Sequence, residues 1–363
     1  MTAGRLDPDA HHWAALDRLP RERLPALLRA MPKAELHIHV EGSLEPELIF
    51  ALAARNSLPM PAPTVDALRA KYAFTDLQSF LDIYYAGASV LRTEEDFVDL
   101  ASAYFARAAA DHVVRAEVFF DPQTHTARGV PFDVVKRGLE RAAVDAERAH
   151  GMSVAYIMCF LRHLSERDAF GVLDEAEPHL ASWPRMIGFG LDSSERGHPP
   201  ETFARVFTRC RALGRHVVAH AGEEGPPAYI HAALDVLRVE RIDHGVRCLE
   251  DPALVERLVQ ARIPLTVCPL SNYRLRVFER LSDHNLDALL RADLCATVHS
   301  DDPAYFGGYI AENFVQTFAA KPTLTARDAF RLARNGFEAS FASLAQKEAW
   351  IEAVRAAFEE AAG

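Results

Sequence analysis

Residues 216–246 read HVVAHAGEEGPPAYIHAALDVLRVERIDHGV. The stretch opens on a short apolar run, HVVAHAG (216–222), passes through a helical pattern over 228–238, and ends in a second apolar run, RIDHGV (241–246). Strand, helix, strand in that order predicts two parallel strands joined by a helical crossover. The same unit repeats outward in both directions. Upstream lie AELHIHV (34–40), VVRAEVFF (113–120), SVAYIMCF (153–160) and MIGFGLD (186–192); downstream lie IPLTVCPL (263–270) and LCATVHSDD (294–302). Helical segments at 131–150, 201–213 and 251–261 separate them. Eight such runs favour a closed TIM-type (β/α)8 barrel of the α/β class over an open doubly wound sheet. The open-sheet alternative also lacks its fingerprint, because no G-x-G-x-x-G follows any of these runs.

The remainder fits around that barrel as one domain over residues 1–363. Residues 1–30 form an N-terminal extension, with an amphipathic helix expected over 12–30 and ended by Met31-Pro32. Residues 41–112 form a helical insertion after strand one, including FTDLQSFLDIYYAGASVL at 74–91. Such an insertion falls on the catalytic face and can cap a site there. The chain is 49% hydrophobic and 25% charged, an ordinary globular balance. Its net charge of −11 argues against a nucleic-acid partner and leaves a small molecule as the expected one. Five scattered cysteines without a C-x-x-C pair read as free thiols in a reducing compartment. Neither a membrane-length apolar run nor a leader-type segment is visible, so a cytoplasmic location is expected.

Sixteen histidines prompt a search for a metal. Strand one ends in His37-Ile38-His39, and alternation puts both rings on one face. Strand five ends in His220-Ala221-Gly222-Glu223, strand six carries Asp243-His244-Gly245, and strand eight ends in Ser300-Asp301-Asp302-Pro303. A polar residue at one strand end is commonly just a helix cap. Three histidines and an aspartate at the same ends of consecutive strands form a single cluster if the barrel closes. His37, His39, His220 and Asp301 are therefore the expected metal ligands. Three imidazoles and a carboxylate suit Zn2+ with one position left for water; iron, cobalt or manganese fit the same donors. Glu223, three residues beyond a ligand, is placed to shuttle protons. His244 is placed to orient the nucleophile, with Asp243 as a neighbour able to fix its tautomer.

These motifs, H-I-H followed by V-E-G, then G-L-D-S-S-E, H-A-G-E, D-H-G and S-D-D-P, resemble those of the adenosine/adenine deaminase family, in the same order over residues 31–340. The resemblance implies attack of metal-activated water on C6 of a 6-aminopurine with release of ammonia. It implies that Glu223 protonates N1, that Asp302 meets N7, that the Gly190 backbone N–H meets N3, and that Phe80, Leu81 and Tyr84 belong to an apolar lid. Glu41 stands where adenosine-type members have Asp, and Ser193-Ser194-Glu195 reads like the adenine type. The expected substrate is accordingly adenine, with Glu41, Ser194 and Glu195 near its edge and Glu41 or Glu195 accepting from N9–H. Adenosine and N6-substituted adenines are the alternatives. His299 and Tyr273 depart from the family pattern, which bears on tolerance at N6.

Three rival readings are weaker. A deaminase of the H-x-E plus P-C-x-x-C type needs a C-x-x-C that the chain lacks. Two-metal barrel hydrolases need a bridging lysine at a middle strand end, whereas Lys136 falls in a predicted helix. A catalytically dead relative would lack the proton shuttle, and Glu223 is present.

Overall fold

A computed structural model describes residues 16–362. Eight strands occur in it: β1 (Lys33–Glu35), β2 (Val113–Phe120), β3 (Ser153–Leu161), β4 (Met186–Asp192), β5 (His216–Ala221), β6 (Arg241–His244), β7 (Pro264–Val267) and β8 (Cys295–Val298). They pair in parallel and in sequence order, with helices between them, as a nearly closed TIM-type barrel. The ranges of β2 and β4 match the apolar runs residue for residue. The helices Phe132–His150, Pro227–Ala232 and Pro252–Ala261 sit where periodicity placed them. The helix Phe132–His150 buries Val135, Leu139, Ala142 and Ala146, one face of a 3.6-residue period.

Three expectations need correcting at their edges. Among the described residues the expected N-terminal helix is broken: Leu16 is helical, residues 17–20 are not, and a 3-10 turn at Arg21–Arg23 leads into a helix over Leu24–Ala30. Pro20 interrupts the pattern, since it carries no amide hydrogen and pushes its predecessor out of the helical region; positions 12–15 lie outside the described residues. Strand one stops at Glu35 because the Leu36 amide donates to the His299 ring (3.1 Å) instead of to a neighbouring strand. Strands seven and eight end at Val267 and Val298, since Pro269 and the positive φ of Asp301 (63°) turn the chain away.

The tail of strand one nonetheless closes the barrel. The Asp301 amide donates to the His37 carbonyl (3.0 Å) and the His39 amide to the Asp301 carbonyl (3.1 Å). On the other side the Phe119 amide donates to Ile38 (2.8 Å) and the Val40 amide to Phe119 (2.9 Å). The helix Ala326–Ala339 packs outside this seam against β1 and β8. Inside the barrel, toward the start of β6, Glu117 binds Arg241 (2.6 Å) and Arg115 (2.9 Å), all three buried.

The insertion supplies four helices, Pro46–Arg55, Val65–Arg69, Leu77–Ala88 and Glu94–Ala110. The third starts at Asp76, whose carboxylate accepts from the Ser79 amide in a capping box. Its Phe80, Leu81 and Tyr84 form an apolar cluster with Leu275, Tyr305 and Phe306, laid across the catalytic end of the barrel. No helix among the described residues is long and apolar enough to cross a membrane.

Candidate active site

The strand ends bring His37, His39, His220 and Asp301 together. All four are buried, and one ligand atom from each lies within 4.8 Å of the others. The Nε2 atoms of His39 and His220 are only 3.2 Å apart. The Nε2 of His37 is 3.2 Å from Asp301 Oδ1. Each ring is also gripped from behind. His37 Nδ1 donates to Thr266 O (3.1 Å) and Oγ1 (2.9 Å); His39 Nδ1 faces Asp192 Oδ2 (3.4 Å); His220 Nδ1 faces Asp243 Oδ2 (3.6 Å). An acceptor behind Nδ1 leaves the Nε2 lone pair for the centre, the usual arrangement behind a ligating imidazole. Burial drives His39 down to about 3 and His220 well below its usual value, so both rings are neutral. With the ring protons on Nδ1, toward Asp192 and Asp243, the two Nε2 lone pairs at 3.2 Å repel unless an electrophile lies between them. The donor set and its second contacts therefore fit a divalent metal.

Asp243 corrects one expectation. Its register places it beside His220 (His220↔Asp243 across β5 and β6), and Thr266 Oγ1 donates to it (2.8 Å). It does not hold His244. The His244 ring instead points Nε2 at Glu223 Oε2 (3.5 Å) and Asp301 Oδ2 (3.7 Å), with Asn272 Nδ2 behind Nδ1 (3.3 Å). Its backbone is strained, with φ 66° on a non-glycine residue. Burial lowers His244 to about 3. Burial first, then Asp301, pushes Glu223 well above the carboxylate range, and the same two causes act on Asp302. Both shifts favour the protonated form, in which each acid can donate a hydrogen bond.

His39, His220, Glu223, His244, Asp301 and Asp302 open onto one cavity, about 390 Å3 in all with its open mouth. Phe80, Leu81 and Tyr84 line it, as expected of the lid. Asp302 lines it too, and its Oδ1 has no hydrogen-bond partner among the described residues. Gly42 lies directly beneath: a Cβ there would sit 1.9 Å from Asp302 Oδ1.

Other residues expected at the substrate's edge have their side chains engaged elsewhere or lie off the cavity. Glu41 is turned from the cavity; its Oε1 accepts from the Asp121 amide (3.1 Å) and faces His125 Nε2 (2.8 Å). Glu195 is spent on the loop that carries Glu223, accepting from the amides of Gly222 (2.6 Å), Glu223 (3.1 Å), Glu224 (2.8 Å) and Gly225 (2.7 Å). Gly190 sits inside β4, where a Cβ would meet Cys159 Sγ at 2.5 Å, so the chains pack closely there. Ser194 and Tyr273 do not line the cavity. His299 is in the barrel interior, between the Leu36 amide and Thr297 Oγ1 (2.7 Å).

Asp121 and Asp192, to which sequence reasoning gave no role, line the cavity, as does Ser193 of the Ser193-Ser194-Glu195 run. Asp121 Oδ2 accepts from the Tyr84 hydroxyl (3.1 Å), while Oδ1 has no partner among the described residues. Burial, then Glu41, raises Asp121 to about 7. Ser193 Oγ bonds the Tyr85 hydroxyl (2.9 Å) and His163 Nδ1 (2.7 Å). Both aspartates directly end strand runs, and that position was the available signal.

The sequence profile of the family described as adenosine deaminase matches residues 32–357. A protein of Trichlorobacter lovleyi named adenine deaminase is 61% identical over 345 residues, 95% of this chain and 98% of its own length. The crystal structure of adenine deaminase from Arthrobacter aurescens superposes with a TM-score of 0.87 at 50% identity, covering 90% of this chain and 98% of that one. An amidohydrolase from Burkholderia ambifaria, solved with bound Zn, gives a TM-score of 0.86 at 26% identity, with 93% of each chain covered. With nearly the whole barrel inside the matched profile and relatives of this identity spanning both chains, the protein belongs to the adenosine deaminase family.

Proposed function

We propose that this chain is a zinc-dependent adenine deaminase, a single catalytic barrel that converts adenine and water to hypoxanthine and ammonia. The observation that carries the reading is the four-donor cage with three of its members, His39, His220 and Asp301, opening onto the same cavity as Glu223, His244 and Asp302. Similarity to adenine deaminases over almost the full length supports it. His37, His39, His220 and Asp301 hold the metal; zinc is the first choice for these donors, with iron, cobalt or manganese as substitutes. A metal there supplies the Lewis acidity that lets water act as a nucleophile near neutral pH.

The protein's own groups do the rest. Glu223, protonated because it is buried beside Asp301, donates to N1 as water oxygen bonds to C6, and returns protons as the C6–N6 bond breaks and ammonia leaves. His244 orients the attacking water. Asp302, also protonated, donates to N7, an acceptor in adenine. Asp121, with a free carboxyl oxygen in the cavity wall, takes the N9–H in place of Glu41 and Glu195. A nucleoside has no hydrogen at N9 and leaves that buried acceptor unpaired. Because His299 and Tyr273 lie off the cavity, the departures they represent do not favour an N6-alkyl substrate. The five cysteines are buried and unpaired, as suits an enzyme of the reducing cytoplasm.

The test is kcat/KM for adenine, adenosine and N6-isopentenyladenine on one preparation. Adenine is expected to exceed adenosine by about four orders of magnitude. Adenosine equal to adenine would refute the free-base reading, and a faster N6-alkyl base would refute the substrate.

A further inference from the structure

Between β7 and β8 a chain of buried side chains runs from a helix start to His244. The helix Leu286–Arg291 begins with an amide that has no partner inside its own helix. That Leu286 N–H donates to His284 Nδ1 (3.1 Å). A backbone amide can only donate, so His284 Nδ1 is the acceptor and its proton sits on Nε2. His284 Nε2 lies 3.2 Å from Asn272 Oδ1, which accepts it. The Asn272 amide is thereby oriented, and its NH2 group faces His244 Nδ1 (3.3 Å) and Glu223 Oε1 (3.5 Å). His284 and Asn272 are fully buried, and His284 packs on the Phe278 ring. Solvent therefore cannot reverse the direction. Burial also keeps His284 neutral, lowering it to about 3.

We propose that Asn272 and His284 are positioning residues that fix the tautomer of His244, so that its Nε2 carries the proton and donates to the attacking water. In that state His244 orients the oxygen and stabilises the charge it gains, but it does not remove the proton; that proton passes to Glu223. The inference rests on the placement of His244 at the reaction centre argued above.

The experiment has a spectroscopic arm and a kinetic arm. Zinc-loaded protein with 15N-labelled histidine is examined by NMR, with a His244→Gln sample to assign the signals. The expected spectrum has His244 protonated at Nε2 and bare at Nδ1; protonation at Nδ1 overturns the proposal. For kinetics, Asn272→Asp keeps the shape but replaces both donors by acceptors. It is expected to lower kcat for adenine by about 100-fold, with KM within about threefold of wild type. His284→Gln retains an N–H toward Asn272 and is expected to keep kcat within about tenfold of wild type. Metal content and circular dichroism accompany each variant. Wild-type kcat in folded, metal-loaded Asn272→Asp refutes the proposal, and if that variant does not fold the wild-type spectrum alone decides. Full kcat in His244→Ala would instead refute the role assigned to His244 itself, a separate failure.

Discussion

Gly42→Ala is a one-carbon change whose effect follows from a distance. The added Cβ would stand 1.9 Å from Asp302 Oδ1, 2.6 Å from its Cγ and 2.7 Å from its Cβ. Ordinary contact is about 3.4 Å or more, so the carboxyl must retreat by about 1.5 Å. The backbone at 42 cannot yield instead without cost, because its amide donates to the carbonyl of His39 (3.0 Å), a cage residue. A hydrogen bond from Asp302 stretched by that amount no longer counts as one. Its loss is worth about 1–3 kcal/mol, or about 5- to 150-fold in kcat/KM for adenine. Metal content should stay full. The deciding measurement is a double-mutant cycle. In Gly42→Ala with Asp302→Gly both the clashing carboxyl and its Cβ are gone, so the double variant should be no slower than Asp302→Gly alone. It should also recover the stability, about 1–3 kcal/mol, that overpacking costs the single variant. Wild-type kcat/KM in Gly42→Ala, or additive losses in the double variant, would refute the reasoning.

Removing a cage residue, as in His220→Ala or Asp301→Ala, should abolish activity and bound metal together; full metal by elemental analysis would overturn the ligand assignment. Glu223→Gln should keep its metal yet lose about two to four orders of magnitude in kcat, and an unchanged kcat would move the proton shuttle elsewhere. Glu117→Ala leaves Arg241 and Arg115 buried without their carboxylate and should cost about 3–5 kcal/mol in urea unfolding. Burial alone would raise Glu117, but Arg115 and Arg241 outweigh it and hold the group below its usual value. Its contribution is therefore complete above the unfolded value and fades as pH falls through the folded one, below about pH 4. Glu117→Gln should show a weaker acid dependence in that range, and an unaltered acid limb would count against the pairing.

The barrel was legible because β2 to β5 are continuous apolar runs between helices of clear period. The ends of strands one, seven and eight were read too long because apolar letters continue past the last ladder bond. Leu36 shows why: its amide partner is the His299 ring, and no local pattern announces a bond across the whole chain. At the site, His37, His39, His220, Glu223, His244 and Asp301 could be gathered from strand ends alone. Glu41 and Glu195 were misplaced because sequence tells which carboxylates are near a strand end but not which amides already occupy them. Asp121 follows a strand run as the cage residues do, but no histidine or second motif beside it marked it out. His284 carries no local signal at all, since only the folded loop brings it to Asn272.

The seam has a consequence for biosynthesis. His37 and His39 leave the ribosome early, whereas Asp301, whose backbone bonds to both of them, is among the last barrel residues to be made. Contacts between the two ends of a chain form late, after the loop entropy of everything between them has been overcome. A nascent or truncated chain thus holds two histidines without their carboxylate and without the strand that walls them in. Catalytic competence arrives only with ring closure, so partial products of translation carry no half-built activity into the cell.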